Sequence, residues 1–374
     1  MSLHLYKPLT SNDPQTRLNA ASNLTSELIA LVQSDSNVHV GSSTDTPHAT
    51  TSAPSTTDTS PVPTSANSQK KNAKEEIIYA LNRLIKGLAS GHESARFGFA
   101  VVLTEYLNVL LQPHNQTKWG VDVEMVLGLV HKWMGITEHL SRTEERDRWL
   151  GRLFGLKAVV MSGCLFPPGG GGEEIGHQRE VRTVVGEMLD LGKEKSWLRE
   201  PGMWAVVAAA RKFHWGKGYV RMVWRMVVER NLARTSEGVG VWLCFEQLCP
   251  GAMEEEEEEE EAGGLGKVWG DGKWGPLVMG NLGVVAKVLK ESGAAGAVSG
   301  EKARNEIATS SREKDSVGGK GTWSPKLHWV WDEIIRIYLA AESEKRKKNN
   351  DINQRDPGDF ASFQQFWRVV VDGN

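Results

Sequence analysis

Apolar positions recur at intervals of three and four along most of this chain, and alternating apolar and polar runs are scarce, so the pattern predicts helices and no sheet. Asp13 followed by Pro14 supplies a capping oxygen and a first-turn ring, and Leu18, Ala21, Leu24, Leu28 and Leu31 carry one stripe to about Gln33. From Ser34 to Asn72 the residues are mostly Ser, Thr, Pro, Asn and Asp, with few large apolar groups to offset the entropy of ordering. Periodicity returns at Ile77, Ile78, Leu81, Leu84, Ile85 and Leu88, and again from Phe99 to Leu110, two helices broken near Ser90-Gly91. Further amphipathic segments follow at about 121–134, 145–165, 178–191, 196–213, 217–233 and 238–248. After Pro250 come an acidic, Gly-rich stretch, a helix from Pro276 to Glu291 and a polar segment to about Gly321. Two aromatic-rich helices close the chain, one through Leu327 to Tyr338 and one through Phe360 to Trp367, with the charged Glu342–Asp356 between them.

Successive short helices without strands predict an all-α protein, arranged as an armadillo/HEAT-like α-solenoid of antiparallel amphipathic helices with disordered insertions. Residues 1–33 form the first helix of the array, 34–73 a disordered Ser/Thr/Pro-rich insertion and 74–250 a helical repeat region. Residues 251–275 form an acidic loop, and 276–374 a second repeat region with insertions of its own. No crisp repeat aligns by inspection.

At 374 residues, 40% hydrophobic and 24% charged, the chain can bury a sizeable core. The net charge of −3 hides a basic remainder, because eight consecutive glutamates run from Glu254 to Glu261. Three cysteines are too few for a disulfide framework and fit a reducing compartment. The opening MSLHLYKPLTSNDP lacks a basic region followed by an apolar one, and no run approaches the ~20 apolar residues of a membrane span. A soluble, intracellular protein is the expectation.

Candidate chemistry is sparse. Gly263-Gly264-Leu265-Gly266-Lys267-Val268 has a lysine but neither the spacing nor the hydroxyl of a phosphate loop, and Pro167–Gly172 lacks both side chains. Cys244 and Cys249 stand five apart, not as a CxxC pair, and read as buried thiols, while His131 and His139 have no HExxH context. No GxSxG elbow occurs. The expectation is therefore no catalytic residue, metal, cofactor, small-molecule substrate or membrane.

Lys193 to Arg234 is different. Ten Lys and Arg stand there against three acids, interleaved with Trp197, Trp204, Phe213, Trp215, Tyr219 and Trp224. That mixture suits phosphate neutralisation with base stacking. It equally suits two ordinary helices whose aromatics are core and whose arginines are the wet face. Arg211, Lys212, Lys217, Arg221 and Arg225 are the nucleic-acid-binding candidates, since Arg221 and Arg225 are four apart and the others flank the preceding turn. Lys345, Arg346, Lys347 and Lys348, in a polar stretch after a helix, have the character of a nuclear localisation patch.

Several ordered stretches resemble the nucleolar family called DNA polymerase phi or Myb-binding protein 1A, which includes DNA polymerase V of fungi. Leu5-Tyr6-Lys7 through Leu18 resembles the family's opening helix, and Arg83–Gly91 with Ser94-Ala95-Arg96-Phe97-Gly98-Phe99 its most recognisable motif. Gly151–Leu156, Lys195–Pro201, Leu327–Asp332 and Phe366–Asp372 extend the likeness over nearly the whole chain. The resemblance implies a helical-repeat protein of the nucleus and nucleolus, acting in rDNA transcription and ribosome biogenesis. Its implied partners are proteins of that machinery, with rDNA or pre-rRNA as further ligands. It does not bring polymerase activity with it, because the metal-binding aspartates of a motif such as YGDTDS are absent. The 34–72 and glutamate-rich insertions depart from the family pattern, and the end at Asn374 reads as that of an N-terminal part. A DNA polymerase and an unrelated cytoplasmic helical adaptor are the competing readings.

Overall fold

The structure is a computed structural model that describes residues 3–34, 65–166, 178–253, 268–269, 275–290, 328–348 and 363–372. Among the described residues the regular structure is helical and no strand occurs. The chain divides into two compact units, Met1–Leu165 and Phe166–Asn374.

The first unit begins with two short 3-10 turns, Leu3–Leu5 and Lys7–Thr10, followed by α1 (Pro14–Gln33), α2 (Ser65–Gly87) and α3 (Glu93–Leu110). It continues with α4 (Pro113–Trp119), α5 (Val123–Trp133) and α6 (Arg142–Met161). The helix starts follow local chemistry. Asp13 accepts from the Thr16 amide at 2.8 Å, and Asp122 from that of Met125 at 2.8 Å. Ser141 and Glu144 cap reciprocally, which starts α6 at Arg142, ahead of the 145 expected from apolar spacing. Helix α3 is apolar on most sides because α1, α2 and α6 all pack on it. Gly87 lies so close to Phe99 that a Cβ there would fall 2.3 Å from the ring. In the α2–α3 turn, Arg96 donates to the Ser90 carbonyl and pairs with Asp147 of α6 at 3.0 Å.

Three sequence expectations shift in this unit. The α1 stripe is Ala21, Leu24, Leu28 and Val32, whereas Leu18 is exposed. Arg17 takes the inward place there, donating to the Ser11 carbonyl at 2.7 Å with its stem against Gly98. Helix α2 starts at Ser65, inside the expected insertion, because Ala, Gln and Lys sustain a helix without apolar periodicity; residues 35–64 lie outside the described residues. Helix α4 was not foreseen, since Trp119 is its one large apolar residue, although Pro113 and the left-handed Gly120 mark its ends.

The second unit holds α7 (Gln178–Glu194), α8 (Ser196–Lys212), α9 (Lys217–Glu229) and α10 (Ser236–Leu248). After a 3-10 turn at Met279–Asn281 come α11 (282–290) and α12 (Trp329–Lys348), then a short helical end, Phe363–Phe366 and Trp367–Asp372. Helix α10 is the centre of this unit, packed by α8, α9 and α12 and buried from Ser236 to Phe245. Helix α12 runs on to Lys348, through residues expected to form a charged connection. The expected acidic loop, 251–275, is described only at 251–253, 268–269 and 275.

No single described helix is long and apolar enough to cross a membrane. The bent pair α3 and α4 reaches that composition, but Phe99, Val102, Leu103, Leu107 and Trp119 are buried in the first unit.

Candidate nucleic-acid interface

The basic, aromatic stretch from Lys193 to Arg234 forms the end of α7, all of α8 and α9, and the turns between them. Its aromatics divide by environment. Trp215, Tyr219 and Trp224 are buried. Trp215 and Tyr219 join Phe166, Phe213 and Phe245 in one ring cluster with centroids 5.0 to 6.3 Å apart, the offset and edge geometry that aromatic cores prefer. His214, with φ of 48°, turns the chain tightly between α8 and α9 and carries Trp215 inward.

The cations divide in the same way. Arg211 donates to Glu333 of α12 at 2.6 Å, and Arg336 donates to the same carboxylate and to Gln247. Burial works to raise the Glu333 carboxyl, but the hydrogen bonds from Arg211 and Arg336 outweigh it and hold the group below the usual carboxylate range. The nearby Cys244 thiol is pushed up to about 11 by burial, against the pull of Arg211. Arg221 donates to the Ala252 carbonyl at 3.1 Å, Arg230 to Asp190 at 2.8 Å and Arg234 to the Val268 carbonyl. Arg211 and Arg221 are thus half-buried struts, whereas Lys212, Lys217 and Arg225 are exposed. Lys212 lies over the Phe213 ring, 5.0 Å from its centroid. Arg221 and Arg225 share a helix, yet one leans on the turn at Ala252 and the other faces solvent.

The outer face of α8 carries Trp197, Pro201 and Trp204, which are exposed. The Trp204 ring leans on Trp329 of α12, with centroids 5.4 Å apart and planes at 49°. Trp329 is seated where Gly240 leaves room, since a Cβ there would lie 2.2 Å from its ring. His328 stacks on Trp329 at 5.6 Å, its Nδ1 accepting from the Val330 amide. Its Nε2 lies 3.8 Å from Glu237, whose carboxyl burial would raise; contact with His328 and the field of Arg199 hold it low instead. Sequence spacing does not reveal that α12 supplies Glu333 and Trp329 to α8, because these partners stand more than a hundred positions away.

Lys345, Arg346, Lys347 and Lys348 form the last turn of α12. Cys244 is buried and Cys249 half-buried, the latter donating to the Trp215 carbonyl at 3.2 Å. Among the described residues no three His, Cys, Asp or Glu side chains gather as a metal-binding group.

The family model described as DNA polymerase phi matches residues 79–374. The chain is similar to the rDNA transcriptional regulator pol5 of Schizosaccharomyces pombe, 28% identical over 302 residues, covering 80% of this chain and 26% of the relative. It is also similar to the rDNA transcriptional regulator POL5 of Saccharomyces cerevisiae, 25% identical over 318 residues, covering 80% of this chain and 29% of the relative. The chain therefore spans between a quarter and a third of the length of these curated relatives. No solved structure matches.

Proposed function

The chain belongs to the DNA polymerase phi family, and on that premise we propose that it is a nuclear, nucleolar helical scaffold that regulates rDNA transcription and contributes to ribosome biogenesis. The observation that carries this reading is the similarity, over 80% of the chain, to two relatives named for regulation of rDNA transcription. Its partners are proteins of the rDNA transcription and ribosome assembly machinery, together with rDNA or pre-rRNA. We read the helices as an armadillo- or HEAT-like array, a reading supported by the packing of α8 and α12 on α10. Such arrays present extended surfaces to macromolecules.

Nucleic acid is bound electrostatically and without base readout, through Lys212, Lys217 and Arg225 directly, with Arg211 and Arg221 holding the surrounding helices. The basic turn Lys345–Lys348 directs nuclear entry. Polymerase chemistry is not part of the proposal, because two-metal phosphoryl transfer needs paired aspartates and the sequence has no motif of the YGDTDS type.

The test is to deplete the protein in its own cells and measure pre-rRNA synthesis by pulse labelling. Expected is a fall in new pre-rRNA with other transcripts unchanged; unaltered labelling would end the regulatory reading. Primer extension by pure protein with supplied magnesium is expected to give no product, and extension would restore the polymerase reading.

A further inference from the structure

Of the six aromatics in the basic stretch, Trp197 and Trp204 retain large exposure, 43% and 39%, and both lie on α8. Seven residues of helix turn the chain through almost two full circles and advance it by roughly 10 Å, so these two rings share a face. Exposed Pro201 lies between them and completes an apolar strip. That advance matches about three steps of ~3.4 Å along a nucleic-acid strand.

Position and backing set Trp204 apart from an incidental surface ring. One side of it rests on Trp329, which is 8% exposed and sits in the space left by Gly240, so the indole is held in place before any ligand arrives. Cations stand at both ends of the helix, with exposed Lys193 and half-buried Lys195 before it and exposed Lys212 at its close. Along the chain the acids of this stretch are Glu194 and Glu200, fewer than its cations; from neighbouring helices Glu333 is engaged by Arg211 and Arg336, and Glu237 lies against His328. A flat, preset aromatic strip between positive ends complements a strand whose bases are free to stack and whose phosphates run alongside. It does not complement a duplex, whose base faces are closed.

We infer that the outer face of α8 is a stacking ledge for single-stranded nucleic acid, with Trp197 and Trp204 receiving bases and the flanking lysines receiving phosphates. This rests on the nucleic-acid binding proposed above and deepens it, adding single-strand preference and assigning the base contacts. The strand is RNA or DNA, since stacking is tolerant of both.

The experiment titrates labelled oligo(U), oligo(dT) and a duplex DNA, each of about 15 residues per strand, against the full chain and its Trp197→Ala, Trp204→Ala and Trp204→Phe variants across a salt series. Folding of each variant is checked by circular dichroism and thermal melting. Expected is a loss of single-strand affinity of at least about fivefold for each alanine variant, with duplex binding unchanged. Trp204→Phe keeps a ring on Trp329 and retains most of the affinity, and a misfolded Trp204→Ala leaves the Trp197→Ala arm decisive. The salt slope is unchanged by the tryptophan variants and falls by roughly one in Lys212→Ala. A stronger hold on oligo(U) than on oligo(dT) would identify the strand as RNA, and the reverse as DNA, each in keeping with the ledge. Equal single-strand affinity in folded Trp197→Ala and wild type would overturn it, as would equal loss on duplex, or no oligonucleotide binding by wild type at low salt. Loss of a co-purifying protein from the alanine variants with oligonucleotide binding intact would overturn it too, assigning the face to a protein partner. None of these results touches the regulatory reading, which pulse labelling decides.

Discussion

The guanidinium of Arg96 lies 3.0 Å from the carboxylate of Asp147, joining α3 to α6 across 51 positions of sequence with both side chains almost covered. The same guanidinium donates to the Ser90 carbonyl, so one residue closes the α2–α3 turn and anchors the turn to a third helix. Arg96 stands in the stretch that most resembles the family motif, and its role there is to hold helices together.

Removing one side of this pair leaves a buried charge. Arg96→Ala is expected to destabilise the first unit by roughly 3 to 5 kcal/mol. Arg96→Met with Asp147→Leu should cost less than Arg96→Ala alone. Urea unfolding followed by circular dichroism measures both, and equal midpoints for the single variant and wild type would show that the pair is idle.

Glu333 makes stability depend on acid. Its folded carboxyl lies below the ordinary 4.5, so its contribution is full above that value and is lost as the pH falls through the lower, folded one. Glu333→Gln should therefore be less stable than wild type at about pH 7, and the gap should narrow below 4.5. A gap that widens on acidification would contradict this sign.

Arg211 and Lys217 separate strut from ligand contact. Arg211→Ala should lower the melting temperature, because it removes one of the two arginines on buried Glu333, and leave the salt slope of nucleic-acid binding nearly unchanged. Lys217→Glu with Arg225→Glu should reduce the slope by roughly two while the protein melts normally. The opposite assignment of effects would show that the tied arginines, not the exposed cations, meet phosphate.

Gly240 has no room for a methyl group beside Trp329. Gly240→Ala is expected to cost roughly 1 to 3 kcal/mol by overpacking. It should also weaken oligo(U) binding, since Trp329 must shift away from its place behind Trp204. Unchanged stability would mean that Trp329 is not seated as described.

Replacing Lys345, Arg346, Lys347 and Lys348 by alanine should shift a fluorescently tagged chain toward the cytoplasm. Fluorescence that stays nuclear would move the import signal elsewhere in the chain.

The sequence by itself determined the helices, because burial on one side imposes a three-and-four spacing that can be read without a structure. It determined the start of α1, where Asp13 caps across three residues; the caps at Asp122 and Ser141 are as local, but apolar spacing alone puts the start of α6 at 145 and the structure puts it at Arg142. It was silent wherever a helix carries little apolar signal, as in α4, the first turns of α2 and the last turns of α12. Spacing also could not separate the two uses of a basic, aromatic stretch. Trp204 and Trp215 look alike along the chain, and only packing puts one at the surface against Trp329 and the other inside the ring cluster. Arg211 and Lys212 are neighbours, and only the arrival of Glu333 from α12 makes one a strut and leaves the other in solvent. The contacts of Trp204 with Trp329 and of Arg211 with Glu333 join residues over a hundred positions apart, and those of Trp215 join the α8–α9 turn to Phe166 and to Phe245 of α10, so they exist only once the helices have packed, which is why tertiary structure alone decided which charges and rings face outward.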